Sequence, residues 1–510
     1  MLRRSDRTVL FIIFLIAFIF RSAGASHDFP FIFHPDEPTI IRSALGIRFN
    51  SNPAHFDWPH LYIYLNYFLY MAFAYFRDFV SNLGLRQLFE GVFSIMWQDN
   101  IVFYYITRLL TAFLGALTIV PVYLTGKNIF NNKVGLLSAL TMAALPFHVW
   151  HAHYALSDTA MVLLVACTMY VASQILMRNS VSDYAGAGLY AGLAASTKYN
   201  GGLSAVMVPL AHLLRIIKSP DEELIDLKGI LNLVISGIFA IIGFIIGTPF
   251  AFLDYKTFLR TDGPKGALWQ FTNVGAVPMN NRIPEFFHEM VFRVADDLGY
   301  IVLGVFFFIL VLVFVKLILR KSNETDINLL FLLLPTLFYL FYTSGFAHSR
   351  SHYYMIAYPA MAVIFGYFVA TVYEIIERKS NRLSFLAILF LFIPIFYFSF
   401  VNTVRFVNGD TRSILHTWLQ LNNKQNLTVV YNVRNLDTVL KTKQYNSKRG
   451  FGEVNYLNAG YAVLSYDHIV PEAREMNAYL KVSGRLEKVF EIKNSYFLGP
   501  NIEIFQINND

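Results

Sequence analysis

The sequence predicts an all-α polytopic membrane protein of about eleven spanning helices, with a small C-terminal α/β domain outside the bilayer. Three observations predict it. The 510 residues are 55% hydrophobic and only 15% charged, where a soluble domain carries about 25% charged residues. Eleven apolar stretches approach the roughly 20 residues that a spanning helix needs. Beyond residue 402 the composition turns polar, and no stretch is long enough to span.

The eleven stretches lie near 8–25, 101–125, 134–151, 157–177, 184–200, 201–216, 229–250, 298–319, 327–345, 353–375 and 384–402. The first follows Met1-Leu2-Arg3-Arg4 and precedes Ser22-Ala23-Gly24-Ala25-Ser26, which resembles a signal-peptidase site. Cleavage there would remove a span that the topology uses, so a retained signal anchor is expected. The fifth and sixth stretches are separated only by Tyr199-Asn200-Gly201-Gly202. The segment 61–76 is rich in tyrosine and is read as an interfacial helix. Two outside loops, 26–100 and 251–297, are long, as functional loops tend to be.

Charge placement tests this count. With the N-terminus inside, the cytoplasmic segments hold Arg3, Arg4, Arg7, Lys127, Lys133, Arg178, Arg215, Lys218 and Lys228, and further on Lys316, Arg320, Lys321, Arg378, Lys379 and Arg382. The short outside turns hold only Lys198 and Arg350. That is a positive-inside pattern, and a twelfth span at 61–76 would invert it. The net charge of +7 therefore reflects topology, and no nucleic-acid partner is expected. Cys167 is the one cysteine, so the chain can form neither an internal disulfide nor a cysteine metal site.

The odd span count places 403–510 outside. There Ile414 to Leu421 has a helical pattern, and Leu427 to Val433, Ala462 to Tyr466, Lys488 to Ile492 and Glu503 to Ile507 read as strands. The expected division is thus 1–402, a membrane domain, and 403–510. Asn426-Leu427-Thr428 is a sequon on the outer domain.

Charged residues where helices meet the outside are costly unless wet, paired or used. Asp36 and Glu37, in His34-Pro35-Asp36-Glu37-Pro38, follow the first span directly. Such carboxylates serve as a general base or as metal ligands. Asp158 follows Ser157 at the fourth span, where capping and active-site use are equally good readings. Lys198 and Arg350 break the positive-inside pattern and suit neutralisation of a phosphate at the membrane surface. His352, two residues on, adds a donor. Arg108 could hold the acids ionised or anchor the second span. Asp57, Trp58 and His60 could contact acceptor or sugar, or anchor the interface. His148, His151 and His153 are read as interfacial, and Asp254 and Tyr255 as turn residues.

The chain resembles the GT-C glycosyltransferases of the protein O-mannosyltransferase and aminoarabinose-transferase kind. The resemblance runs from about 8 to 376. It is carried by His34-Pro35-Asp36-Glu37, Asn52-Pro53 with Phe56-Asp57-Trp58-Pro59 and Leu61-Tyr62-Ile63-Tyr64, Arg108-Leu109, Ser157-Asp158, Gly192 to Tyr199, Thr248 to Tyr255, and Arg350-Ser351-His352-Tyr353 with Tyr358-Pro359. It implies a GT-C fold and inverting transfer of a sugar from a polyprenyl (dolichyl or undecaprenyl) phosphate at the outer face of a cell membrane. It implies Asp36 as base or acceptor-positioning group, with Glu37 beside it. It implies Lys198 on the lipid phosphate, with Arg350 and His352 assisting and Arg108, Asp158 and Tyr199 in support. His34, Asp57 and His60 are the candidate acceptor or sugar contacts. The acceptor is protein, lipid or glycan.

No cofactor is assigned. A divalent metal held by Asp36, Glu37 and Asp158 is the alternative, after the manner of oligosaccharyltransferases, although the Trp-Trp-Asp signature of that family does not occur. A flippase or transporter is the other alternative. It would place its charges near mid-membrane, whereas here they gather at the outer ends of the spans.

Overall fold

The computed structural model describes residues 4–218, 227–423, 427–433, 435–440, 446–449, 460–465 and 486–507. The chain divides into two compact units: Met1–Ser22 with Thr39–Phe400, and Ala23–Pro38 with Val401–Asp510.

The first unit is helical. Among the described residues, eight helices are long and apolar enough to cross a membrane: Ile101–Ile129, Asp158–Arg178, Tyr199–Lys218, Leu227–Gly247, Tyr300–Ile318, Glu324–Thr343, Ser351–Glu377 and Asn381–Asn408. They correspond to eight of the eleven expected stretches. The other three are also helical. Arg4–Ser22 carries Asp6 and Arg21 within its 19 residues, Val181–Thr197 has 17 residues, and the 134–151 stretch is broken into Asn132–Ala143 and Pro146–His151. The helix over 61–76 extends to Leu61–Asn82 and is not among the eight.

The break after Ala143 has a specific solution. Helix C-termini leave carbonyls without intrahelical partners. Arg21, fully buried, donates to Met142 O at 2.9 Å and Ala143 O at 2.8 Å, and its Nε lies 3.3 Å from His148 Nδ1. Ile13 and Ala17 of the same helix lie in the core, so Arg4–Ser22 is built into the bundle.

Val181–Thr197 lies close against Leu227–Gly247. A Cβ on Gly188 would sit 2.0 Å from Ser236 O, and one on Gly192 2.0 Å from Ala240 O. Only glycine permits that approach. The packing fixes the end of Val181–Thr197, where Lys198 turns extended before the 3₁₀ stretch Tyr199–Val206. The long loops are not structureless: 26–100 holds Glu37–Gly46, Leu61–Asn82 and Arg86–Val92, and 251–297 holds Ala267–Asn273 and Arg282–Glu289.

The second unit is α/β, as expected. The helix Thr411–Asn422 is capped by Asp410, whose side chain accepts from Arg412 N–H at 2.8 Å. Among the described residues five strands follow: β1 Thr428–Tyr431, β2 Ser447–Arg449, β3 Gly460–Leu464, β4 Leu486–Ile492 and β5 Ile502–Ile507. They form one sheet in the order β2-β1-β3-β5-β4. β1 pairs parallel with β2 and β3, and β5 pairs antiparallel with β3 and β4. β2 is an addition; three residues carry too little pattern to be read from sequence. Asn426 and Tyr466 lie outside the described residues. The segment Ala23–Pro38 belongs to this unit, where the sequence placed 26–38 in the first long loop of the membrane domain.

Candidate active site

The first unit gathers a charged centre where spans end. Asp158 is the first residue of Asp158–Arg178 and is 1% exposed. It does not act as the cap; Ser157 holds that position, without a side-chain cap bond. The Asp158 carboxylate instead takes the Lys198 ammonium on one oxygen and His151 Nε2, at 3.1 Å, on the other. A buried carboxylate is costly unless paired in this way.

Lys198 reaches Asp158 from the fixed end of Val181–Thr197. Its ammonium also lies over two rings, 5.8 Å from the centroid of Trp58 and 5.4 Å from that of Tyr353. Aromatic faces attract a cation placed in this way. His352 stacks on His151, 5.5 Å between centroids with 19° between planes. Arg350 precedes the 3₁₀ stretch Ser351–Ala357 in extended backbone; it is exposed, and its charge reaches the His352 ring. The centre therefore joins Trp58, His151, Asp158, Lys198, His352 and Tyr353. His151, which sequence reasoning assigned to the interface, is part of it.

The loop 50–60 is tied down on all sides. Tyr199 Oη donates to Phe56 O at 2.7 Å. Asn52 Nδ2 donates to Asp254 Oδ2 at 3.0 Å and Thr257 Oγ1 to Asp254 Oδ1 at 2.9 Å. Burial would raise the Asp254 carboxyl, but these bonds outweigh it and hold it below the usual range. The turn role expected of Asp254 is thus seen. Asp57 bonds His55 Nδ1, and His55 Nε2 meets Ser43 Oγ at 2.9 Å. His60 is fully buried; its N–H donates to Thr248 Oγ1 at 3.1 Å, and its ring stacks 4.8 Å from Phe56. Burial pushes its imidazole down to about 4, so His60 is a neutral packing group at ordinary pH.

A second network, missed in the sequence, backs the stretch that carries Arg350 and His352. Arg293 binds the Glu289 carboxylate at 2.6 and 3.3 Å. Tyr354 Oη donates to Glu289 at 2.9 Å, and Ser349 Oγ to Tyr354 Oη at 3.0 Å. Asp297 stands close by, and burial pushes its carboxyl up to about 7. The i,i+4 spacing of Glu289 and Arg293 was its one visible signal. Glu285, His288 and Glu289 lie close enough together to hold a metal ion, but the Arg293 fork already occupies both oxygens of Glu289.

Arg108 is buried in Ile101–Leu117. Asp36 and Glu37 belong to the second unit. Glu37 opens the helix Glu37–Gly46 and is fully buried; a carboxylate there complements the helix dipole. Asp36 is half-buried, and its N–H donates to His34 Nδ1 at 3.2 Å.

Apolar helices, interrupted at charged residues that pair rather than face lipid, define an integral membrane protein with a polar centre. Residues 104–246 match the family described as dolichyl-phosphate-mannose-protein mannosyltransferase. Dolichyl-phosphate-mannose–protein mannosyltransferase 1 of Saccharomyces cerevisiae is 28% identical over 240 residues, 42% of this chain and 29% of its own length. The chain thus spans less than a third of that curated relative. The resemblance read from sequence motifs is borne out there: the matched stretch includes Arg108, Asp158, Lys198 and Tyr199. Among solved structures, ArnT from Cupriavidus metallidurans, bound to undecaprenyl phosphate, is similar with a TM-score of 0.49 and 10% identity, covering 98% of this chain and 97% of that one. The oligosaccharyltransferase AglB from Archaeoglobus fulgidus, in complex with an inhibitory peptide and a dolichol-phosphate, is similar with a TM-score of 0.47 and 12% identity, covering 91% and 69%.

Proposed function

We propose that the protein is a GT-C membrane glycosyltransferase that moves a sugar from a polyprenyl-phosphate carrier to an acceptor on the extracytoplasmic face, with inversion. The observation that carries the reading is the Lys198–Asp158–His151 centre, set within the stretch that matches the mannosyltransferase family. A lysine held by a buried carboxylate and lined by Trp58 and Tyr353 is a fixed positive charge beside aromatic surface. That combination suits a lipid phosphate with a sugar on it.

In the proposed step the acceptor hydroxyl attacks the anomeric carbon and loses its proton to Asp36. The bond from that carbon to the phosphate oxygen breaks, and the lipid phosphate leaves with both electrons. Lys198, assisted by Arg350 and His352, stabilises the charge that develops on it. The resemblance would give Glu37 and Arg108 supporting roles, and His34, Asp57 and His60 are the proposed acceptor or sugar contacts. The buried, neutral His60 suits packing better than proton transfer. Acceptors of this chemistry are protein, lipid or glycan hydroxyls.

The donor set favours the metal-free form of this reading. Both Asp158 oxygens face cationic or donor groups, so a metal there would have to displace the Lys198 ammonium. Transfer that persists after chelation supports this form; loss on chelation, restored by a divalent ion, overturns it. We also propose eleven spans, an inside N-terminus, and residues 403–510 as an outside domain. Cysteine labelling of intact cells tests that placement, and a residue of 403–510 protected from an external reagent overturns it.

The direct test of function is turnover of dolichyl-phosphate mannose by the purified chain. Lys198→Ala should raise the donor KM; an unchanged KM removes Lys198 from the phosphate site.

A further inference from the structure

The stretch that leads into the acid pair is folded into the C-terminal unit, as its own hydrogen bonds show. Asp28 Oδ1 accepts from the N–H of Asp410 at 2.6 Å. Asp410 in turn binds Arg412 through both oxygens, Nε to Oδ1 at 2.7 Å and Nη2 to Oδ2 at 2.6 Å. This fork holds the guanidinium 4.0 Å over the Phe33 ring. The Phe33 carbonyl accepts from Asn435 Nδ2 at 3.3 Å. Phe31 and Phe33 are both buried in the core formed by Leu415, Leu419, Tyr431 and Ile504.

Phe33 is thus held on both its ring and its carbonyl, three residues before Asp36. Only His34 and Pro35 lie between. Three residues span at most about 10 Å, and Pro35 removes one backbone freedom. The His34 ring takes up what remains by accepting the Asp36 N–H. Contacts that reach 382 residues along the chain, from Asp28 to Asp410, therefore set where the acid pair can be.

The geometry points to Arg412 as a positioning residue for Asp36, and to the C-terminal unit as the holder of the acid pair. In this role Arg412 acts through Phe33. The inference rests on the proposed role of Asp36 for its catalytic consequence, but not for its structural one. The C-terminal unit then need not bind acceptor to be required for transfer.

Two readouts on the full-length protein in lipid nanodiscs test it. The first is hydrogen exchange of the peptide covering residues 31–38, which needs no substrate. Arg412→Ala should speed exchange there at least tenfold, and Arg412→Lys, which keeps a cation over the ring, should do so less. Unchanged exchange in Arg412→Ala overturns the inference. Should Arg412→Ala not fold, Asn435→Ala carries the same test, since it removes only the bond to the Phe33 carbonyl. The second readout is turnover of dolichyl-phosphate mannose. A positioning role lowers kcat about tenfold and leaves the donor KM within twofold, with partial recovery in Arg412→Lys. Equal losses in kcat and donor affinity mark a merely structural role and overturn the positioning claim. If exchange responds as expected while Asp36→Asn retains full turnover, the anchoring stands and the role of Asp36 as base fails.

Discussion

Asp158 and Asp36 are both carboxylates near the end of an apolar segment, yet the structure treats them in opposite ways. Asp158 is buried and saturated: an ammonium takes one oxygen and an imidazole the other. Asp36 is half-buried, and what holds it is its own backbone, through His34 Nδ1. A saturated carboxylate orients a cation and contributes little proton chemistry, because protonation would leave the cation unpaired. A half-exposed one, fixed by its backbone, can exchange a proton with a substrate. Under the proposed function the two acids do different work. Asp158 holds the lysine, and Asp36 is the better candidate for the base.

The largest effect should therefore follow Asp36→Asn. General-base assistance contributes roughly 10²- to 10⁴-fold, so kcat for sugar transfer should fall by about that factor while the donor KM stays within twofold. Asp158→Asn should behave differently, loosening Lys198 and raising the donor KM. A variant pair with the same kinetic signature would erase the distinction between the two acids.

Lys198→Ala comes next. Removing one partner of a buried ion pair costs about 3–5 kcal/mol because the other charge is stranded. Thermal unfolding should register that loss. The double variant Lys198→Met with Asp158→Asn removes both charges and should recover most of the stability without recovering donor affinity. Recovery of both would mean that the pair is structural.

How much of this was legible beforehand depends on range along the chain. The helices were legible because a bilayer demands about 20 apolar residues in a row, and each such run is local. Lys198 and Asp158 were visible singly, as charges at span ends, but their pairing joins positions 40 residues apart that share no periodicity. His151 reads as an interfacial histidine until Asp158 is seen against it. The docking of residues 23–38 on the C-terminal unit links Asp28 to Asp410, and no window along the sequence contains both. The Glu289–Arg293–Tyr354 network was hidden for the same reason.

Asp297 gives a smaller, pH-dependent contrast with Asp158. Its neighbours are Ser351, Arg293, Asp296 and Glu289, and burial is the dominant influence, raising its carboxyl from 3.8 to about 7. The folded state therefore binds this proton more tightly than the unfolded chain does. By linkage, stability falls as pH rises from about 4 to about 7, by up to about 4 kcal/mol. Asp297→Asn should flatten that decline in a denaturation series, whereas Asp158, already paired, should contribute none of it. An unaltered pH profile in Asp297→Asn would show that Asp297 is ionised and satisfied like Asp158.

The smallest effect expected is that of Tyr199→Phe. The Tyr199 hydroxyl donates to the Phe56 carbonyl at 2.7 Å, and Phe56 lies two residues before Trp58, whose ring faces Lys198. Losing one neutral hydrogen bond costs about 1 kcal/mol, and the aromatic packing of Tyr199 on Phe258 and Phe271 survives. The loop 50–60 keeps its other ties at Asp254 and Thr248, so Trp58 should shift little. A donor KM raised less than about fivefold, with kcat unchanged, is the expected result. A fall in kcat as large as that of Asp36→Asn would instead place Tyr199 among the groups that meet the reacting atoms, and the division between an acid that holds a cation and an acid that moves a proton would no longer account for the site.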